Sequence, residues 1–273
     1  MAANAHGMPR NLRFMNVLAP SVAAVFIVAG SASAATKPVT LTVFAAASLR
    51  EAFTDVAREL RSKDATTVRF NFGGSNQLAT QIVLGAPADV FASADARQMQ
   101  IARAHGALDG TASVFAGNRL VVVVPAENPA HIRSVRDLGR RGVRLVLAAP
   151  GVPVGRYARA AFSGMANEAA YGSDFERRVL ANVISEETDV KAVAAKVALG
   201  EADAGVVYAT DVGPLGSRVS VFGLPGRYAP VARYFIAVVR ATVDVRAARG
   251  FIAFVRGARG QAILARHGFL SAR

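Results

Sequence analysis

The chain contains no cysteine, which excludes disulfide bonds and thiolate metal sites. It also lacks the motifs G-x-S-x-G, G-x-x-x-x-G-K-[ST] and H-E-x-x-H, so nothing indicates a serine-hydrolase elbow, a P-loop or a zinc protease. The four histidines are scattered, and none supplies the base that a nucleophilic serine would need. We therefore expect a protein that is not an enzyme, has no cofactor and binds no metal cation directly.

The chain is strongly basic, with 32 Lys and Arg against 19 Asp and Glu and a formal net charge of +13. Such a charge is compatible with nucleic-acid binding. The basic residues are scattered, however, and no block of five or six like charges occurs. We interpret the charge as solvated surface and expect no nucleic-acid partner. A nucleic-acid binder is a distant alternative that only the net charge favours.

The first residues have the pattern of an export signal. Two arginines precede an apolar stretch at residues 17–29, and Ala-Ser-Ala follows at the positions typical of a cleavage site. The apolar stretch is shorter than the ~20 residues that span a bilayer, and no later segment is longer. We predict that residues 1–34 are a signal peptide, cleaved near Ala34 and Ala35.

Strands and helices alternate along the rest of the chain. An apolar strand at residues 41–47 ends at Ser48 and passes directly into a helix at residues 49–60 with apolar side chains at helical spacing. A second strand, at residues 68–72, passes through two glycines and Ser75 into another helix. This alternation with short connections predicts an α/β fold with mostly parallel sheets.

The apolar strands near Leu120 and Phe235 suggest two crossings between two α/β lobes. We predict that residues 35–117 and 238–273 form lobe I and that residues 118–237 form lobe II. A two-strand hinge would then join the lobes, with a ligand cleft between them.

Four strand-to-helix corners, at Ser48, Ser75, Val154 and Val190, share one chemical character. Each offers free backbone N–H groups at the positive end of a helix, and the serines add hydroxyl groups. Converging helix N-termini can bind an anion. Alternatively, Ser48 is only a helix cap, because Ser48 to Glu51 matches a capping box.

Acidic residues also lie near the last of these corners. We expect Asp189 to cap its own helix. We expect its side chain, like those of Glu186 and Glu187, to point outward to solvent.

Four motifs of the sequence together resemble those of a known family. The motifs are Phe-Ala-Ala-Ala-Ser-Leu at residues 44–49, Gly-Ala-Pro-Ala-Asp-Val-Phe-Ala-Ser-Ala-Asp at 85–95, Val-Tyr with an aspartate at 207–211, and a Gly-Gln-Ala-Ile-Leu ending at 260–264 with Gly-Phe at 268–269. Together they resemble the periplasmic molybdate-binding proteins of ABC uptake systems, which are type II periplasmic binding proteins. The resemblance covers essentially the whole predicted mature chain.

The resemblance implies a two-lobed type II fold that holds a tetrahedral oxyanion through neutral donors. Ser48 and Ser75 would contribute hydroxyl and backbone N–H groups, Val154 and Val190 backbone N–H groups, and Tyr208 its phenol. It further implies molybdate or tungstate as ligand, a periplasmic location, and a membrane permease with its ATPase as partners. We expect a monomer.

A pocket of donors favours anions that carry no proton at neutral pH, because the O–H group of phosphate would find no acceptor. The alternatives are another tetrahedral oxyanion such as sulfate or, more distantly, an enzyme on a two-lobed α/β scaffold.

Overall fold

A computed structural model describes residues 40–64, 66–228 and 231–272. The predicted signal peptide at residues 1–34 lies outside these residues. Strands and helices alternate as predicted, and the strands form two five-stranded sheets. The ten strands are, in chain order, β1 (Thr40–Ala46), β2 (Thr67–Gly73), β3 (Val90–Ser93), β4 (Leu108–Asn118), β5 (Leu120–Pro125), β6 (Leu145–Ala148), β7 (Val183–Glu187), β8 (Ala204–Tyr208), β9 (Val219–Gly223) and β10 (Ala232–Val239).

Each sheet is mixed, with one reversed strand. The first sheet has the order β2-β1-β3-β10-β4, and β10 is antiparallel to both of its neighbours while β1 is parallel to β2 and β3. The second has the order β7-β6-β8-β5-β9, and β5 is antiparallel to both of its neighbours. Four strands of each sheet therefore run in one direction, so the carboxyl ends of most strands meet at one edge.

Helices cover the sheets and bury their apolar faces. The face that helical spacing predicted for the first helix is buried in the structure, with Leu49, Phe53 and Val56 fully enclosed. Phe53 lies at the centre of an aromatic cluster, with its ring 5.9 Å from Phe115 and 5.7 Å from Phe251. The α-helices within the described residues are α1 (Arg50–Asp64), α2 (Ser75–Val83), α3 (Ala96–Ala104), α4 (Pro153–Ala166), α5 (Phe175–Ala181), α6 (Val190–Ala198), α7 (Val245–Arg256) and α8 (Ala258–Arg266).

The return of the chain to the first sheet differs from the prediction. We predicted that lobe II extends to residue 237, but β10 pairs with the first sheet from Ala232 opposite Asn118 to Val239 opposite Leu108. The whole apolar strand is therefore part of the first sheet and not a crossing segment. The outward crossing lies between Asn118, the last residue of β4, and Leu120, the first of β5. No helix in the described part of the chain is long and apolar enough to span a bilayer.

Candidate functional site

A small pocket lies where the strand-to-helix corners of the two lobes face each other. All five residues that the sequence indicated as ligands line it, three of them with hydroxyl groups. The lining residues are Ala46, Ala47, Ser48, Gly73, Gly74, Ser75 and Ala94 from the first lobe and Val152, Pro153, Val154, Asp189, Val190 and Tyr208 from the second.

Ser48 is not the helix cap that the capping-box pattern predicted. It lies inside a short 3-10 turn, Ala47–Leu49, whose N-cap is Ala46 and has no side-chain capping bond. The Ser48 hydroxyl instead lies 2.8 Å from the hydroxyl of Tyr234, and the carboxylate of Glu51 is bound by Lys191. The 3-10 turn moves the start of the helix upstream of the serine, so the box cannot form. The side chain is therefore available to the pocket.

Ser75 is the first residue of α2, and Gly74 is the N-cap. The Ser75 hydroxyl accepts a hydrogen bond from the backbone N–H of Ala94 at 3.1 Å, which ties the corner to the end of β3. Because that oxygen accepts from Ala94, its own hydrogen can be donated into the pocket.

Gly74 marks a close approach of the two lobes. A Cβ at this position would lie 2.3 Å from the carbonyl oxygen of Thr188 in the second lobe, so only glycine fits at this contact.

The second lobe presents the starts of two helices. In α4 the first helical residue is Pro153, which has no N–H, so Val154 is the first residue that can donate from this helix. A Cβ on the next residue, Gly155, would lie 2.2 Å from the carbonyl oxygen of Ala148. The start of α4 is therefore held tightly against the end of β6.

In α6 the N-cap is Asp189, as predicted. Its carboxylate accepts from the backbone N–H groups of Lys191 at 2.8 Å and Ala192 at 3.2 Å. The Asp189 side chain thus turns back onto its own helix. We predicted that it points outward to solvent, and that prediction is wrong. The cap leaves the N–H of Val190, the first helical residue, free for the pocket. Glu186 and Glu187 do not line the pocket; they pair with Arg159 and Lys196.

Tyr208 ends β8, and its hydroxyl is buried without a hydrogen-bond partner. Burial raises the pKa of this phenol well above its usual value, so it stays protonated and can donate. An unpaired buried polar group costs about 1–3 kcal/mol. A hydroxyl in this state at the wall of a pocket can donate to an acceptor placed there.

Among the described residues that line the pocket, none has a cationic side chain and Asp189 alone has a carboxylate. Among the described residues, no group of three or more His, Cys, Asp or Glu could hold a metal ion. The chemistry of the walls is that of neutral N–H and O–H donors, which suits an anion.

Among the described residues, two ion pairs join the lobes, and the sequence analysis missed both. Arg156 of α4 reaches Asp95, the buried N-cap of α3, at 2.8 Å. Lys191 of α6 reaches Glu51 of α1 at 2.8 Å. The partners are 61 and 140 residues apart, and no local pattern reveals such pairs. The lobes are therefore held in a closed arrangement.

Asp211, part of a motif that the sequence analysis singled out, lies close to the ion pair between Lys191 and Glu51. It is fully buried, accepts from the backbone N–H of Tyr208 at 3.3 Å and lies 3.2 Å from the ammonium nitrogen of Lys191. Burial raises the pKa of Asp211 to about 6, although Lys191 opposes this rise. Asp211 thus links the Tyr208 corner to the ion pair that joins the lobes.

Fold and site together define a two-lobed α/β protein that can enclose a small anion, and comparison with known proteins agrees. Residues 41–270 match the family of bacterial extracellular solute-binding proteins, and the chain belongs to that family. It is therefore a solute-binding protein and not an enzyme.

The chain is also similar to individual molybdate-binding proteins. The chain is 39% identical to the molybdate-binding protein ModA of Mycobacterium tuberculosis over 89% of this chain and 92% of that protein. It is 32% identical to the ModA protein of Escherichia coli over 94% of this chain and 98% of that protein. The periplasmic molybdate-binding protein of Azotobacter vinelandii has the same fold, with a TM-score of 0.73 at 22% identity, covering 84% of this chain and 98% of that one.

Proposed function

We propose that this protein captures molybdate, and tungstate in the same way, between its two lobes. The observation that carries the proposal is the unpaired buried hydroxyl of Tyr208 in a pocket that three helix starts and two serine hydroxyls also face. Ser48, Ser75 and Tyr208 donate O–H groups to the anion, and Val154 and Val190 donate backbone N–H groups. The likeness to molybdate-binding relatives supports this choice of anion.

Neutral donors also favour the unprotonated state of the ligand. Molybdate, tungstate and sulfate carry no proton at neutral pH, whereas phosphate does. The O–H of phosphate would face a wall made mostly of donors, where the one carboxylate, that of Asp189, accepts two backbone hydrogen bonds at its Oδ1. An unpaired polar group in such a place costs about 1–3 kcal/mol, so the pocket discriminates against phosphate.

Donors from both lobes contact one ligand only when the cleft is closed. Ligand binding therefore shifts the population of the protein toward the closed form. The closed form is what we propose is presented, in the periplasm, to a membrane permease with its ATPase. In this proposal residues 1–34 direct export and are removed, and the mature protein acts as a monomer.

Calorimetric titration of the mature protein with molybdate, tungstate, sulfate and phosphate tests the proposal. We expect heat and a raised melting temperature with molybdate and tungstate, and neither with phosphate. If molybdate and tungstate both give no heat and no thermal stabilisation, the proposal is wrong. A response to sulfate alone would replace molybdate by sulfate as the ligand.

A further inference from the structure

A line of buried side chains connects Ser48 to the segments where the chain passes between the lobes. The Ser48 hydroxyl lies 2.8 Å from the hydroxyl of Tyr234 on β10. The side-chain amide nitrogen of Asn118, at the end of β4, lies 3.4 Å from the same Tyr234 hydroxyl and 2.8 Å from the hydroxyl of Thr210. Asn118 and Tyr234 are completely buried and Ser48 is 3% exposed, so these groups do not exchange partners with bulk water.

The orientation of the Asn118 amide determines which group donates and which accepts in the hydrogen bonds along this line. The backbone N–H of Arg119 donates to the Asn118 side-chain oxygen at 2.9 Å, so the amide nitrogen must face Tyr234 and Thr210. The Tyr234 oxygen therefore accepts a hydrogen from Asn118. Among the described residues, Ser48 Oγ is the acceptor within reach of the Tyr234 hydrogen. This arrangement favours the Tyr234 hydroxyl as the donor and Ser48 Oγ as the acceptor of their hydrogen bond.

This direction determines what Ser48 can do. Once Ser48 Oγ accepts from Tyr234, its own hydrogen is free to point into the pocket. With the opposite direction, the Ser48 hydrogen would be used by Tyr234 and would be lost to a ligand. Burial raises the pKa of Tyr234 well above its usual value, so this donor stays protonated.

We infer that Tyr234, oriented by Asn118, is a positioning residue that turns the Ser48 hydroxyl toward the bound oxyanion. The inference rests on the proposed function, because it concerns the same pocket. Tyr234 is not among the residues that line the pocket, so it acts on the ligand through Ser48. Its ring packs against Tyr208 at 5.7 Å and Phe269 at 5.4 Å, which fixes the position of the hydroxyl.

A double-mutant cycle with molybdate as the probe separates positioning from a structural role. The variants are Tyr234→Phe, Ser48→Ala and the two combined, each titrated calorimetrically. Tyr234→Phe keeps the ring and its packing and removes only the hydroxyl. We expect it to weaken molybdate binding about five- to tenfold, as the loss of one buried hydrogen bond does. In the Ser48→Ala background the same change should weaken binding less than twofold.

Tyr171→Phe is the matched control, because Tyr171 packs on Phe175 at 4.9 Å in the second lobe and does not line the pocket. It should leave binding unchanged. Melting of the ligand-free variants verifies that each is folded.

Two results would overturn the inference while leaving the proposed function intact. One is wild-type affinity in Tyr234→Phe. The other is an equal loss from Tyr234→Phe with and without Ser48, which indicates that the tyrosine acts on the fold and not through the serine. Failure of the unmodified protein to bind molybdate would instead overturn the proposed function, and the inference with it.

Discussion

The ammonium nitrogen of Lys191 lies 2.8 Å from a carboxylate oxygen of Glu51 and so connects helix α6 of the second lobe to helix α1 of the first. Both helices begin beside the pocket, and the pair is only partly exposed, at 22% and 32% of the two side chains. An ion pair that exists only when the lobes are closed contributes to ligand affinity, because binding requires closure.

Glu51→Gln should weaken molybdate binding about two- to fivefold, as expected for a partly exposed ion pair worth ~0.5–1 kcal/mol. The difference from the wild type should shrink as salt is added, because salt screens such pairs. Titration calorimetry at low and high salt measures both effects. Asp109→Asn is the control: it removes a carboxylate that pairs with Arg249 at 3.1 Å within the first lobe, and it should leave affinity unchanged. Equal effects of the two substitutions would contradict a role of Glu51 in closure.

Gly74→Ala should weaken molybdate binding tenfold or more while changing the melting temperature of the ligand-free protein little. The added Cβ would lie 2.3 Å from the carbonyl oxygen of Thr188, and backbone atoms of the opposite lobe can avoid it only if the cleft opens. Titration calorimetry and small-angle scattering with saturating molybdate measure affinity and closure. Gly250→Ala serves as control, since nothing lies within 4 Å of its added Cβ. Wild-type affinity in Gly74→Ala would show that the closed contact is not needed for binding.

Tyr208→Phe should affect stability and binding in opposite directions. The hydroxyl is buried and unpaired in this structure, so its removal should stabilise the ligand-free protein by up to ~1 kcal/mol. The same removal deletes a donor to the anion and should weaken molybdate binding at least tenfold. Denaturant unfolding without ligand and titration with molybdate provide the two values. A variant that binds as well as the wild type would remove Tyr208 from the proposed ligand set.

The stability of the protein should depend on Asp211 between about pH 4 and pH 6. The folded-state pKa of this group is raised from 3.8 to about 6 by burial, so in this range the folded state binds its proton more tightly than the unfolded state does. The contribution of the group to stability is therefore greatest below pH 4 and falls as the pH rises through 6. A shift of this size corresponds to on the order of 1–3 kcal/mol.

Asp211→Asn replaces the titrating carboxyl group with an amide that does not titrate. The free energy of unfolding of the wild type minus that of Asp211→Asn should decrease as the pH rises from 4 to 7, and denaturant unfolding at a series of pH values measures it. Asp109→Asn, which removes an exposed carboxylate paired with Arg249, is measured alongside as the matched control. A difference that is constant with pH would mean that Asp211 has no raised pKa in the folded protein.

Local sequence patterns indicated the corners at Ser48, Ser75, Val154 and Val190, and the resemblance to a family added Tyr208. Ser48, Ser75, Val154, Val190 and Tyr208 each follow a strand and open a helix or turn, and the structure brings all five to one pocket. Their role as ligands stays a prediction. The alternation of strands and helices likewise predicted the α/β fold with two lobes, which the structure confirms.

The lobe boundary and the hydrogen bond of Tyr234 depend on partners that lie far apart in the chain. An apolar run such as that of β10 is expected both in a segment that crosses between the lobes and in a strand that pairs with β3 and β4. The sequence therefore could not place the lobe boundary. The sequence places Tyr234 in the apolar strand near Phe235, but its hydrogen bond to Ser48 joins residues 186 positions apart. Strand β4 was not predicted, because exposed and buried residues do not alternate regularly along it.

In the proposed site, the starts of α4 and α6 offer the anion the main-chain N–H groups of Val154 and Val190. A substitution at either position exchanges the side chain but leaves the amide in place, except for proline, which has none. Most substitutions at these two positions therefore leave the N–H donors in place, while the apolar side chains around them can vary. Selection acting on this wall can tune the width of the cavity, and with it the choice among oxyanions of different radius, without dismantling the recognition of charge.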